Sequence, residues 1–204
     1  MIEDPFKSKK DVVFYSSCNG LVLMNNPWSE EENDIMLWNP STAEIKQIPK
    51  PGDDHPIAAN SGSVKNYQYS HLYGLEYGRI DDDYKILRLR VCYDKRNGVC
   101  CGCEVKVYTL RTNLWKTIPY EFSYDLYLRC TVQNLIRASG ALHWIQAPCA
   151  SLAQEHKSIS RVIVSFNVEH DIFKQVPLNS GLQELLISDD PYKSSRAEGA
   201  FLSY

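Results

Sequence analysis

Tyr108-Thr109-Leu110-Arg111-Thr112-Asn113-Leu114-Trp115-Lys116-Thr117-Ile118-Pro119 decides the fold, because its spacing occurs twice more in the chain. Trp38 is followed at the same distances by Ile45-Lys46 and Ile48-Pro49, and Phe166 by Phe173-Lys174 and Val176-Pro177. Each copy has a large apolar residue, a second one seven positions on, then Lys, a polar residue, Ile or Val, and Pro. Three copies of one internal spacing are the mark of a repeat architecture.

Each copy reads as a β-hairpin. The first strand ends near the leading aromatic, and a polar tip follows: Pro40-Ser41-Thr42, Arg111-Thr112-Asn113 or Glu169-His170-Asp171. Such residues bond to nearby backbone and support a tight reversal. The return strand stops at Pro, which cannot donate to a ladder. Its two apolar positions, such as Trp115 and Ile118, are three apart and so face opposite sides of an extended strand. Odd spacing fits a sheet covered on both faces, and a bulge would give the same pattern.

A second element precedes the hairpins. Cys18-Asn19-Gly20-Leu21-Val22, Ala138-Ser139-Gly140-Ala141-Leu142 and Ala197-Glu198-Gly199-Ala200-Phe201 each put a polar residue and Gly before an apolar run. Asn-Gly and Ser-Gly between strands are hairpin turn signals. The second unit has Tyr73-Gly74-Leu75 instead, which predicts a different turn there. From one Gly to the next is about 55 to 65 residues, close to the roughly 50 of a kelch blade. Gly199 opens a fourth unit and the sequence stops at Tyr204, so the array is expected to be truncated at its C-terminus.

The remaining apolar segments support the same class. Val12 to Tyr15, Gly20 to Met24, Tyr84 to Val91, Val105 to Leu110, Ala141 to Ile145 and Arg161 to Phe166 have strand length and no helical period. The expected fold is all-β, a kelch-like β-propeller or open propeller-like arc of about three blades. Residues 1–11 form an N-terminal segment and 12–204 one incomplete β domain.

Bulk properties exclude several functions. A hydrophobic fraction of 44% against 23% charged residues is that of a folded globular chain, and 204 residues suffice for one domain. A net charge of -3 gives no reason to expect nucleic acid, and Lys7, Lys9 and Lys10 read as a solvated terminal patch. No apolar run approaches the roughly 20 residues that span a bilayer, so no membrane partner is expected. The start Met1-Ile2-Glu3-Asp4-Pro5 is unlike a secretory signal, and seven cysteines, an odd number, read as reduced thiols in the cytoplasm or nucleus.

Chemistry-bearing motifs are sparse. Cys100-Cys101-Gly102-Cys103 contains Cys-x-x-Cys, the spacing of a redox pair or of half a zinc site, but lacks a second ligand pair for zinc, although Cys92 or Cys130 could approach across strands. It reads as a Cys-rich hairpin loop running from Asn97-Gly98 to Gly102. Asp81-Asp82-Asp83 lacks the Gly and terminal Glu of a calcium loop and reads as a solvated turn. His55, His71, His143, His156 and His170 show no ligand spacing, and His143 beside Trp144 reads as a hydrogen-bonded core residue. Ser16 and Ser17 lack a nucleophile elbow. No catalytic, metal or cofactor residue is assigned, and no enzymatic activity is expected. Trp28, Tyr67, Tyr69, Tyr120 and Tyr124 are candidate surface aromatics, which keeps a glycan-binding propeller as the alternative.

Taken together, several stretches resemble the plant F-box-associated domain. They are Ser17-Cys18-Asn19-Gly20-Leu21-Val22, Leu37-Trp38-Asn39-Pro40-Ser41-Thr42, Asp83-Tyr84-Lys85-Ile86, Val105 through Trp115, Ser139-Gly140-Ala141-Leu142-His143-Trp144, and Ser165-Phe166-Asn167-Val168 with Phe173 and Pro177-Leu178. They follow the family's order over most of residues 12 to 178. The resemblance implies a protein-binding module that holds a target protein for ubiquitylation, while an F-box docks the Skp adaptor of a cullin-type ligase. Only about a dozen residues precede the first strand, so adaptor docking is expected only through an F-box outside this sequence. Loops on a rigid scaffold are the natural binding surface, with Asn25 to Asp34, Lys50 to Asn66 and Pro148 to Lys157 as candidates.

Overall fold

The computed structural model describes residues 12–26, 29, 34–52, 67–96, 100–120, 135–146 and 162–177. These form three four-stranded antiparallel sheets, with no helix among the described residues. Blade 1 comprises β1 (Phe14–Cys18), β2 (Leu21–Asn25), β3 (Ile35–Asn39) and β4 (Glu44–Gln47). Blade 2 comprises β5 (Tyr67–Gly78), β6 (Asp83–Asp94), β7 (Cys100–Thr109) and β8 (Leu114–Ile118). Blade 3 comprises β9 (Ile136–Ala138), β10 (Ala141–Gln146), β11 (Val162–Asn167) and β12 (Ile172–Pro177). Each blade is a meander of strands in chain order, and the first strands β1, β5 and β9 lie side by side.

The repeated spacing is a cross-strand pairing. Trp38 stands opposite Ile45, Tyr108 opposite Trp115, and Phe166 opposite Phe173. In all three hairpins the residue five beyond the leading aromatic is left-handed: Ala43 (φ 59), Asn113 (φ 58) and Asp171 (φ 54). Local bonds set up the reversal, with Asn39 Oδ1 accepting from Ser41 N at 3.0 Å and Asn167 Oδ1 from Glu169 N at 2.9 Å. Asn19-Gly20 (φ 48 and 85) and Ser139-Gly140 (φ 50 and 74) are the expected hairpin turns, with both central residues at positive φ.

Blade 2 is covered on both faces, as the odd spacing predicts. Tyr73, Leu75, Ile86 and Tyr108 pack with Cys18, Leu23, Ile35, Leu37 and Ile48 of blade 1, and Trp115 lies against them. Leu72, Leu87, Leu89, Val91, Val105, Val107 and Ile118 pack with Leu135, Leu142, Trp144, Val164, Phe166 and Val168 of blade 3. Alternate residues of single strands, such as Ile86 and Leu87, therefore enter different cores.

Three expectations are corrected. Gly74 makes no turn: β5 runs unbroken from Tyr67 to Gly78, and Gly74 lies within it opposite Leu87. The Cys-rich segment is not a loop, because β7 starts at Cys100 and pairs Cys92 with Gly102 and Val91 with Cys103. The register shifts between Cys92 and Tyr93, a bulge that absorbs the extra residue. Asp83 is buried, unlike a solvated turn residue, and its carboxylate accepts from Tyr84 N and Arg111 N. Gly199 and the fourth unit lie outside the described residues.

Candidate functional site

A meander puts its first and third turns at one end and its other connections at the opposite end. The blades share this polarity: Cys18 at the end of β1 meets Glu76 near the end of β5, and Glu169 of the β11–β12 turn accepts from Arg79 N at 2.7 Å. One end therefore carries the tight turns at 19–20, 40–43, 79–82, 110–113, 139–140 and 168–171. From the other end the chain leaves β2 at Asn25, β4 at Gln47 and β10 at Gln146. All three candidate loops, Asn25 to Asp34, Lys50 to Asn66 and Pro148 to Lys157, join strands at that loop end.

Most of those loops, including Trp28, lies outside the described residues, as do Tyr124, His55 and His156. What is described is anchored. Asp34 is buried, accepts from Ser29 Oγ, pairs with Lys50 at 3.2 Å, and its backbone oxygen accepts from Asn26 N at 2.7 Å. The remaining surface aromatics are reassigned: Tyr67 and Tyr69 belong to β5, and the Arg90 guanidinium lies 4.1 Å from the Tyr69 ring centroid. Tyr120 packs edge-on against Phe173 at 5.0 Å between centroids and beside Trp144, at the margin of the core.

Polar contacts fix the blades relative to one another. Lys106 Nζ donates to Gly52 O, and Trp115 Nε1 to Pro49 O at 2.6 Å, tying blade 2 to the segment that follows blade 1. Lys85 Nζ donates to Val168 O at 2.7 Å and pairs with Asp81, while Lys116 pairs with Asp171 at 2.7 Å, tying blade 2 to blade 3. Arg88, Arg90 and Lys106 are all buried, with Glu104 near Arg88 and Lys106 and the His71 ring 3.0 Å from Arg88.

At the turn end the three blades enclose a polar cleft of ≈ 760 Å³. Its walls include Asn19 of blade 1, Glu76 and Arg79 of blade 2, and Arg137, Ser139 and Glu169 of blade 3. Glu76 is 1% exposed, and its Oε1 accepts from Arg137 Nε at 2.8 Å and Tyr77 N at 2.9 Å. Its Oε2 is buried without a hydrogen-bond partner. Hydrogen bonding to Glu76 holds the Arg137 guanidinium above its usual range. Beside them, burial pushes the Cys18 thiol up, with Arg137 opposing. Sequence reading missed both Glu76 and Arg137. The available signal was a Glu inside Tyr73-Gly74-Leu75-Glu76-Tyr77-Gly78, an otherwise uncharged strand.

The motifs weighed for chemistry stay apart. Among the described residues no group of three or more His, Cys, Asp or Glu side chains could hold a metal ion, and Cys18 is a free thiol. His143 is half-buried in β10, and its Nδ1 has no hydrogen-bond partner, against the expectation of a bonded core histidine. Among the described residues no helix is long and apolar enough to cross a membrane.

Comparison with known proteins agrees with the blades. The F-box associated beta propeller domain family matches residues 2–187. Among curated proteins the chain is similar to F-box protein CPR1 of Arabidopsis thaliana, 31% identical, over 71% of this chain and 35% of that protein. It is also similar to F-box protein At4g22390, 29% identical over 71% of this chain and 36% of that protein, and to F-box protein At3g08750, 27% identical over 86% and 41%, both from the same plant. The chain thus spans well under half the length of these relatives. With a matching family over nearly its whole length and the blades in place, the chain belongs to the F-box associated beta propeller domain family.

Proposed function

We propose that this chain is the substrate-recognition region of a Skp-cullin-F-box type ubiquitin ligase, holding a target protein for ubiquitylation when it is linked to an F-box. The observation that carries this reading is the family match over residues 2–187, joined by relatives that are themselves F-box proteins. The architecture supports it: a core closed on both faces of blade 2 holds the strand ends rigid, and the long connections leave from one end. A scaffold of that kind presents loops for binding at low ordering cost. The module acts by binding, with the cytoplasm or nucleus as the proposed site of action. The glycan-binding alternative rests on loop aromatics, and Tyr67, Tyr69 and Tyr120 lie in a strand or against the core.

The test is affinity capture from plant extract with the chain alone and with the chain joined to the F-box of a relative. The joined form should retain the Skp adaptor together with a target that becomes ubiquitylated. The chain alone should retain the same target without the adaptor. Adaptor capture by the joined form, with no protein specific to the chain, would overturn the assignment.

A further inference from the structure

We propose that His71 is an acid-sensitive catch: its neutral ring keeps the root of the Lys50 to Asn66 loop seated on blade 2, and its protonation releases that root. The inference rests on the binding reading above, because that loop is one of those assigned to target recognition. Acid would then loosen the hold on a target.

The first ground is the contact between Arg88 and His71. Arg88 Nη2 lies 3.0 Å from His71 Nε2. A guanidinium has five N–H donors and no acceptor, so Nε2 meets it with a lone pair and the ring is neutral. An imidazolium carries a proton on both nitrogens. It would lose this bond and set a second cation against Arg88.

The second ground is what surrounds the ring. On the face that blade 2 turns to blade 1, cross-strand rows run His71–Arg90–Glu104 and Tyr73–Arg88–Lys106. Arg90 therefore stands between His71 and Glu104, with its guanidinium 4.1 Å from the Tyr69 ring centroid. The Tyr73 ring stacks on His71 at 6.3 Å, and Tyr15 of blade 1 packs on Tyr73 at 5.0 Å. Glu104 lies 3.9 Å from Arg88 and 3.7 Å from Lys106. Asp94, farther along β6, is engaged by Arg96, and Asp34 of blade 1 by Lys50 and Ser29. Buried Arg88, Arg90 and Lys106 thus crowd a protonated ring with like charge, and each of these carboxylates already serves another cation.

The third ground links the ring to the loop. Lys106, opposite Arg88 in the register, donates from Nζ to Gly52 O, and Trp115 Nε1 donates to Pro49 O at 2.6 Å. Arg88 repelled by a charged His71 draws on Glu104, the carboxylate that Lys106 also uses, and raises the positive charge at the Gly52 anchor. The neutral ring fits the seated root. Seating is therefore complete above about pH 6.5, where a free imidazole is neutral, and is lost as the pH falls.

The test is hydrogen exchange on the full chain from pH 7 to pH 5, corrected for the intrinsic exchange rate. The Ile48 amide, which donates to Ile35 O at 3.1 Å, and the Trp115 indole report the root. The Val107 amide, in the buried centre of blade 2, reports global opening. One proton taken up on release raises the open fraction by up to about tenfold per pH step of one. Exchange at Ile48 and Trp115 should rise at least about tenfold over the range, while that at Val107 holds. His71→Gln keeps an acceptor for Arg88 and cannot take the proton, so it should abolish the rise. His170→Gln, on the exposed β11–β12 turn, should leave the rise intact. Should His71→Gln fail to fold, the nitrogen resonance of His71 Nε2 in the parent chain at pH 7 decides the matter, with an unprotonated nitrogen expected. An equal rise at Val107, an undiminished rise in His71→Gln, or a protonated Nε2 would each overturn the proposal. None of these readouts needs a target, so their failure leaves the ligase reading standing.

Discussion

Gly74 of blade 2 and Leu142 of blade 3 meet so closely that a Cβ on Gly74 would stand 2.9 Å from Leu142 Cδ2. It would stand equally close, 2.9 Å, to Leu135 Cβ. Leu142 is wholly buried, and Leu135 is fixed by its backbone, whose N–H donates to Tyr73 O at 3.4 Å. Neither neighbour can retreat without opening the core between the blades. Gly74→Ala should therefore destabilise the protein by about 1–3 kcal/mol. Urea unfolding checks this, and an unchanged midpoint would show that the blades slide apart freely.

The misreading of Gly74 shows where sequence stops being informative. A glycine that turns the chain and one that makes room for a neighbour look alike in a single sequence, and only the docked partner tells them apart. The hairpins were legible because Tyr108 and Trp115, seven apart, become opposite partners as soon as the intervening turn forms. That is local geometry. Glu76 and Arg137 are 61 positions apart, and they meet only because β5 and β9 lie side by side. The cleft was thus hidden, while the scaffold that builds it was not.

Ala43 occupies the left-handed position that Asn113 and Asp171 fill in the other two hairpins. A Cβ there costs roughly 1–2 kcal/mol, and Asn tolerates the conformation better than Ala. Ala43→Asn should raise stability by about 0.5–1 kcal/mol, read as an increase in urea midpoint. The reverse change, Asn113→Ala, should lower it by more, because Asn113 Oδ1 also accepts from the Tyr108 hydroxyl at 2.7 Å.

Asp83 and Asp81 are neighbours on one turn with different duties. Asp83 is buried and satisfies two backbone donors, Tyr84 N at 2.8 Å and Arg111 N at 3.1 Å, joining the β5–β6 turn to the β7–β8 turn. Asp83→Ala should cost about 2 kcal/mol through those unmet donors. The Asp81 side chain is 46% exposed and pairs with Lys85, so Asp81→Ala should cost less, about 1 kcal/mol or below. Equal losses would contradict the capping role of Asp83.

The described cysteines should differ in reactivity. Cys18 and Cys92 are buried, and burial pushes the Cys18 thiol up from 9.0, whereas Cys103 is only half-buried. Thiolate is the reactive form, so Cys18 stays protonated and shielded at neutral pH. Limited alkylation followed by peptide mass analysis should label Cys103 well before Cys18 or Cys92. Early modification of Cys18 would show that blade 1 opens from blade 2 in solution.

Tyr73 gives the fold an alkaline limit. Burial drives its phenol from 10.0 up to about 12, with the nearby Arg88 charge acting in the opposite sense. The folded chain therefore keeps a proton that the unfolded chain releases. This stabilisation is fully present below pH 10 and is lost as the pH rises to about 12. At about 1.4 kcal/mol for each pH step of one, the window removes on the order of 3 kcal/mol. Urea unfolding at intervals across that window should show the decline, and Tyr73→Phe should flatten it. A slope as steep in Tyr73→Phe as in the parent chain would move the alkaline sensitivity to another group.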